Sequence, residues 1–440
     1  MENYFNELAD CLMRLLRGSE ALLMTLQGEE SDFVRFNKSL VRQAGSVRQY
    51  YCGLNLIDGA RQVEATTTLT CDKDADRPAL AALLGELRGQ IPHVQDDPYL
   101  LYSTKVQNTR QIGACTLPPR EQTLDAILAA GKGRDLVGIH AAGAICAGFA
   151  NSLGQRNWFS THSFNFDWSF YHATDKAVKC SYAGFAWDQA AFARKVELAG
   201  EQLEILAREP KTIPPGKYRV YLAPGALEDV VGMLNWGGFG CKAHRTRSTS
   251  LLKMIAEGAT MSPAVTIREN TAEGIFQNFQ SSGYVAPPSV TMIENGRYKD
   301  TLICPRSAKE YGLEVNDASG GEGAASLDMA GGDIAEKDVL AKLDTGVYVN
   351  TVWYLNYSDR PGARITGMTR FATFWVEGGR IVAPLNVMRF DETMYRMLGE
   401  NLVGLTTERE FIPSPSTYGG RSTASARVPG ALIKDFSFTL

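Results

Sequence analysis

A chain of 440 residues with 44% hydrophobic and 21% charged side chains is too long for one ordinary core and too apolar to work as a disordered protein, so two large domains are expected. Its net charge of −4 and pI near 5.9 argue against nucleic acid as a main ligand, because phosphate binding relies on clustered Lys and Arg. No window approaches the ~20 apolar residues that a membrane-crossing helix needs. The opening MENYFNELADCLMRLL carries acidic residues and no positive region ahead of an apolar core, and the eight cysteines are scattered without a CxxC pair. A cytoplasmic protein with free thiols is the expectation.

In chain order, Phe5, Leu8, Leu12, Leu15 and then Leu16, Leu22 and Leu23 recur at helical intervals and predict an amphipathic helix to about Gln27. Between Asp32 and Thr70 the apolar residues turn to strand-like spacing, and Asp58-Gly59 is a hairpin signal within an antiparallel meander. Helices follow around Arg77 to Arg88 and, after Pro118-Pro119, around Glu121 to Ala130. From Asp135 to Trp187 long strands return. Phe164, Phe166, Trp168 and Phe170 alternate there with Ser163, Asn165, Asp167 and Ser169, as expected when one sheet face is buried and the other faces water. Core packing explains that aromatic strand better than base stacking, since no basic residues interleave.

Asp188 then caps a helix with an apolar stripe of Phe192, Val196, Ala199, Leu203 and Leu206, ending at Glu209-Pro210. The boundary is placed there: residues 1–209 as an N-terminal α/β domain and 210–440 as a C-terminal, mainly β domain with a few helices, an α+β fold overall. The second unit opens with the strand YRVYLA and a helix from about Gly225 to Leu234. Glu294-Asn295-Gly296-Arg297 and Glu377-Gly378-Gly379-Arg380 mark hairpins. Ala318 to Gly332 reads as an exposed glycine-rich loop, Glu392 to Leu402 as a short helix, and Pro413 to Ser425 as irregular structure.

Catalytic chemistry is hard to place. The five histidines (His93, His140, His162, His172, His244) form no HExxH or HExxxH, the pattern that would set two imidazoles beside a metal-bound water. His162 and His172 share strand parity, but ten residues span ~33 Å of extended chain. Cys241 and His244 have CxxH spacing, which alone lacks two further zinc ligands, so a buried thiol beside a loop histidine is the plainer reading. No GxSxG elbow occurs, and neither Gly237 to Lys242 nor Gly320 to Gly323 has phosphate-loop spacing. Lys242, His244, Arg245 and Arg247 form the richest basic patch and are expected to be a solvated loop.

Four segments, in this order, resemble the TldD/PmbA (modulator of DNA gyrase) family. They are Asp32 to Leu69 with its Phe36-Asn37 core; LAPGALEDVVGMLNWGGFGCKAHRTRSTSLLKMIAEGATMSPAVTI; GIFQNFQSSGYVAPPSVTMIENGRYKDTLICPRSAKEYGL; and RFATFWVEGGRIVAPLNVMRF. The resemblance implies the family's two-domain fold. It also implies a departure, because active TldD subunits are known for HExxxH on the helix opening the second domain and for a later Cys that completes the zinc site. Here Ala223 and Pro224 stand where the first His and Glu would be, Glu228 where the second His would be, and no Cys follows Cys304. The implied role is therefore TldE-like. It is a subunit with no catalytic and no metal-binding residues and no cofactor of its own, zinc being confined to a TldD-like catalytic partner, or else a homodimer, with unfolded peptides as substrates and neither nucleic acid nor membrane as a ligand. An independent enzyme built from Cys241, His244 and a distant carboxylate, and a self-associating binding module, are the alternatives. The polar, glycine-rich segment carrying Gly237, Gly238, Lys242, His244, Arg245 and Ser248 is the candidate partner- or peptide-binding site.

Overall fold

A computed structural model describes residues 1–173, 176–316 and 318–440. Among them, the first helix, α1 (Glu2–Met13), buries Phe5, Leu8, Ala9 and Leu12 on one face. It stops well short of Gln27, because Gly18 turns the chain with φ of +53° and ALLMTL begins strand β1 (Ala21–Asn37). The run was open to a helical reading, yet its faces alternate with period two. Leu22, Met24 and Leu26 join the core under α1, while Ala21 and Leu23 join a second cluster on the other face.

Strands β2 (Leu40–Asp58) and β3 (Arg61–Thr68) complete the expected meander, with Asp58 paired to Arg61 across the Gly59 turn. Helix α2 (Lys73–Gln90) follows. A short strand, β4 (Thr109–Ile112), leads to α3 (Arg120–Gly131). Long strands β5 (Asp135–Asn151) and β6 (Arg156–Ala173) pair along most of their length, and β7 (Lys176–Gly184) pairs with β6. The seven strands form one sheet in the order β3-β2-β1-β5-β6-β4, with β7 also on β6. Helix α4 (Gln189–Leu206) starts at Asp188, whose carboxylate accepts from the N–H groups of Ala190 and Ala191. Phe164, Phe166, Trp168 and Phe170 pack with Phe192, Ala199 and Leu206 of α4 and Ile127 of α3 in one core.

The opposite face of β6 is not left to water. Ser163 and Asn165 are buried because a later part of the chain covers them: Asn165 Nδ2 donates to the carbonyl of Ser414 at 2.8 Å, and Arg421 reaches Ser163. Alternation showed which residues face away from the aromatic core, and the chain's own distal segment supplies their cover.

The second sheet has thirteen strands. Its strands are β8 (Gly216–Leu222), β9 (Ile267–Glu269), β10 (Val290–Glu294), β11 (Arg297–Tyr298) and β12 (Ser326–Met329), followed by β13 (Gly346–Val349), β14 (Val352–Asp359), β15 (Arg364–Thr369), β16 (Thr373–Glu377) and β17 (Arg380–Pro384), and last β18 (Arg389–Thr393), β19 (Leu402–Pro413) and β20 (Ser425–Phe438). The main path runs β11-β10-β9-β12-β20-β8-β13-β16-β17, with β18, β15, β14 and β19 attached beside it. Both expected hairpins are present, as Glu294 pairs Arg297 and Glu377 pairs Arg380. Helix α5 (Pro224–Asn235) lies on β20 and β14 and buries Ala226, Leu227, Val230, Val231, Met233 and Leu234. Each such Val or Leu contributes roughly 1.5–3 kcal/mol by leaving water. The architecture is thus α+β, with an antiparallel-rich N-terminal sheet clad in helices and a mainly β C-terminal half.

Two expectations in this half are corrected. Residues 318–332 are not one exposed loop, since β12 lies fully buried between β9 and β20. A four-residue strand flanked by glycines carries no readable period, and its burial comes from partners distant in sequence. The expected helix at Glu392 to Leu402 shrinks to one wide turn at Arg396–Glu400, because Phe390 and Glu392 alternate inward on β18 and Leu402 already belongs to β19. Residues 414–424 are irregular, as expected.

The division at 209/210 is crossed in several places. Phe279 packs with Ala21, Leu23 and Phe149, the Ser103 N–H donates to the Ser282 carbonyl, and Arg306 pairs with Asp97 at 2.8 Å. Among the described residues no helix is long and apolar enough to cross a membrane.

Candidate functional site

Between the sheets opens a cavity of about 730 Å³, lined by β6, β7 and α4 on one side and by β8, α5, β19 and the start of β20 on the other. Helix α5 enters it with its first turn, because Pro224 at the first helical position fixes φ and needs no N–H partner there. Ala223 offers no side-chain cap, so the positive end of the helix dipole lies at the cavity wall, where Ala223, Pro224 and Gly225 line it.

Six carboxyls line the cavity, Glu228 and Asp229 from α5, Asp167 from β6, and Glu336, Glu408 and Glu410 elsewhere on the wall. Burial, reinforced by the neighbouring Asp229 charge and opposed by Lys179, pushes Glu228 up to about 7. Burial likewise pushes Asp229 and Asp167 up to about 6, again against Lys179. These groups can hold or give a proton near neutrality. On the α4 side of the cavity, Lys195 Nζ pairs with Glu410 Oε1 at 2.7 Å; burial opposes its charge, but the Glu410 carboxylate outweighs burial and the lysine is raised. Cys180 also lines the cavity, with burial pushing its thiol up to about 12, so it is no thiolate nucleophile. The lining thus offers acceptors, donors and apolar wall.

The six residues singled out from sequence come together elsewhere. Gly237 to Ser248 wraps a short helix, α6 (Cys241–Arg245), and none of the six lines the cavity. The Gly238 carbonyl faces His244 Nε2 at 2.6 Å and accepts from the Thr249 hydroxyl at 2.8 Å. A Cβ on Gly238 would lie 2.2 Å from the Leu234 carbonyl oxygen, so the close approach requires glycine. Gly237 turns with φ of +77°. Glu322, itself buried, accepts from the Lys242 N–H at 2.7 Å and the Cys304 N–H at 3.1 Å. Arg245 stacks over Tyr311, and the Ser248 N–H donates to the Ala243 carbonyl at 2.9 Å. The backbone of this segment is thus tied into a knot, while the Lys242, Arg245 and Arg247 side chains are exposed to solvent, as expected of a basic patch, and His244 is half-buried. Burial lowers the His244 pKa, against the Gly238 carbonyl.

Glu322 is the distant carboxylate brought near Cys241 and His244, but its oxygens serve backbone N–H groups. Among the described residues no group of three or more His, Cys, Asp and Glu side chains is arranged to hold a metal ion.

The sequence from 215 to 440 matches the family described as PmbA/TldA metallopeptidase C-terminal domain, more than half of the 440 residues. The chain belongs to the PmbA/TldD family. Its fold is shared with solved structures at low identity. TldE from Thermococcus kodakarensis is 13% identical, with a TM-score of 0.78 over 99% of this chain and 100% of that one. A protein from Thermotoga maritima described as a candidate modulator of a DNA gyrase is 15% identical, with a TM-score of 0.74 over 99% and 100%. A similarly described protein from Bacteroides thetaiotaomicron is 14% identical, with a TM-score of 0.74 over 99% and 98%. No curated protein matches the chain.

Zinc, which a metallopeptidase family implies, wants imidazole and thiolate donors. At the start of α5 the chain instead presents Ala223, Pro224, Glu228 and Asp229. The residues present do not fit the ion. Sequence reasoning missed Asp167, Lys179 and Asp229 as cavity residues; the one local signal was an acidic pair inside the otherwise apolar helix PGALEDVVGML.

Proposed function

We propose that this chain is a non-catalytic subunit of a TldD/TldE-type zinc metalloprotease complex acting on unfolded peptides in the cytoplasm. Zinc belongs, in this reading, to a TldD-like partner. One observation supports it: α5, whose residues by resemblance stand in place of the family's metal motif, lies at the wall of a large cavity and presents Pro224, Glu228 and Asp229 there instead of imidazoles. The cavity is open enough for an extended peptide segment, and its near-neutral carboxyls, Lys179 and the positive end of α5 suit main-chain amides of either polarity.

The test is zinc content and peptide cleavage by the purified chain alone and after co-expression with a TldD-like subunit. The expected result is no stoichiometric zinc and no cleavage alone, with chelator-sensitive cleavage by a co-purifying pair. Stoichiometric zinc with cleavage by the lone chain would overturn the proposal.

A further inference from the structure

The charge in the cavity at α5 is unbalanced. Against six lining carboxyls stand three cations, Lys179, Lys195 and Arg409. Two of these are already engaged: Lys195 pairs with Glu410 at 2.7 Å, and Arg409 pairs at 2.9 Å with Asp328, which does not line the cavity. The third, Lys179, acts on the Asp167, Glu228 and Asp229 end. Glu408 Oε2 accepts from the Glu336 N–H at 2.9 Å, and both residues are exposed at the edge of the cavity. Among the described residues neither carboxylate has a cation.

The wall inside that edge holds polar groups with nothing to bond. Tyr221, on β8, is 3% exposed and Gln202, on α4, is 6% exposed. Both line the cavity. Neither side chain has a hydrogen-bond partner among the described residues, and neither polar end is sealed in the interior, so both open onto the cavity. Tyr348, on β13, lies beside Tyr221 with ring centroids 5.3 Å apart and packs against the same core as α4. Burial first, then Tyr348, Glu336, Glu410 and Glu408 raise the Tyr221 pKa, and burial, Glu336, Glu410 and Cys180 raise that of Tyr348, so the edge carboxylates stand near both hydroxyls. A largely buried hydroxyl and amide without partners cost free energy unless an occupant meets them. Unpaired carboxylates beside two aromatic rings, a hydroxyl and an amide oxygen match a guanidinium, which brings five N–H donors, a permanent charge and a flat face that stacks on rings.

We propose that this cavity selects peptide segments carrying arginine, the guanidinium held by Gln202 and Tyr221 and countered by Glu336 and Glu408. Arginine recognition rests on the reading of the cavity as a peptide site and adds the class of peptide it takes. An ammonium offers three donors and no flat face, so lysine is the weaker occupant.

The test is calorimetric titration of the full chain at pH 8 with acetylated, amidated peptides that differ only in a central arginine, lysine or citrulline, repeated on the double variant Glu336→Gln/Glu408→Gln. Citrulline keeps the shape of arginine without its charge. The expected result is that the arginine peptide binds wild type about tenfold or more tightly than the citrulline peptide and several-fold more tightly than the lysine peptide, and that the double variant loses most of this preference. Tyr221→Phe, which removes only the hydroxyl, is expected to weaken the arginine peptide about threefold or more and decides the location if the double variant does not fold. Equal binding of the arginine and citrulline peptides would overturn the specificity and leave the cavity a peptide site, whereas binding of none would overturn both. Lysine bound as tightly as arginine, or an undiminished preference in the folded variants, would overturn the guanidinium site. Zinc content and cleavage by the lone chain, which decide the subunit reading, are separate measurements.

Discussion

The Arg421 guanidinium donates to Ser163 twice, to the hydroxyl at 2.7 Å and to the carbonyl at 2.9 Å. Ser163 pairs with Gly143 on β5, and Gly143 pairs with Ser31 on β1. Because Arg421 also donates to the Gly143 carbonyl and the Ser31 hydroxyl, one side chain from the distal segment spans three adjacent strands at a single register. Burial pushes its pKa down to about 10, with Glu29 resisting, so it stays charged at neutral pH.

Arg421→Ala leaves the Ser163 and Gly143 carbonyls short of donors and frees residues 414–424. The expected loss is about 1–3 kcal/mol, read as a lower urea midpoint, with faster proteolytic cleavage in 414–424 than in wild type. Arg421→Lys, with one ammonium in place of the planar fork, is expected to recover only part of the loss.

Three of the cavity carboxyls give a pH dependence of definite sign. Their folded pKa values, about 7 for Glu228 and about 6 for Asp229 and Asp167, lie above those of an unfolded chain, so the folded state binds more protons. Stability is therefore greatest with these groups protonated and falls as pH rises through about 4 to 7, this contribution being fully lost above the folded values. Glu228→Gln is expected to raise the unfolding free energy at pH 8 by about 1 kcal/mol, reduced from the bare shift because the group is only partly buried. At pH 4 it is expected to change little. Denaturant curves at the two pH values check this, and equal effects at both would contradict it.

Much of this fold was legible locally. The Asp58-Gly59, Asn295-Gly296 and Gly378-Gly379 turns, the Asp188 cap and the aromatic period of β6 each state their structure within a few residues, because turn geometry, capping and pleat are short-range physics. Leu22 and Leu23 misled because an apolar run fits either period until its two covers are known. β12 was hidden because both partners, β9 and β20, are remote. The site was least legible: Asp167, Lys179 and Glu228 converge only when the two sheets face one another, whereas Gly237 to Ser248 drew attention by composition and lies apart from the cavity, with Lys242, Arg245 and Ser248 exposed.

Glu322 holds that segment from a distance of eighty residues along the chain, its Oε2 on the Lys242 N–H and its Oε1 on the Cys304 N–H. Glu322→Ala orphans the buried Cys304 N–H and the part-buried Lys242 N–H, at an expected cost of about 1–3 kcal/mol. Glu322→Gln keeps one acceptor oxygen, with an expected cost about half as large. Hydrogen exchange at Lys242 and Cys304 is expected to accelerate in both variants before global unfolding, which separates loosening of the knot from general destabilisation.

Gly143 sits at the register that Arg421 spans, with φ of +151°. A Cβ there would lie 2.0 Å from the Glu30 carbonyl oxygen and 2.7 Å from the Ser31 Cα, both backbone atoms of the paired strand that cannot rotate aside. Gly143→Ala must therefore push β5 from β1 at the rung where the guanidinium counts on their spacing. The expected loss is about 3 kcal/mol or more, with a broadened transition if the sheet opens locally. Gly45, on the outer part of β2, has nothing within 4 Å of its Cβ position, and Gly45→Ala is expected to be neutral or to stabilise by about 0.5 kcal/mol, since alanine loses less backbone entropy in a strand. Thermal melts of the two variants side by side separate close packing from intrinsic strand preference, and similar losses in both would refute the packing account.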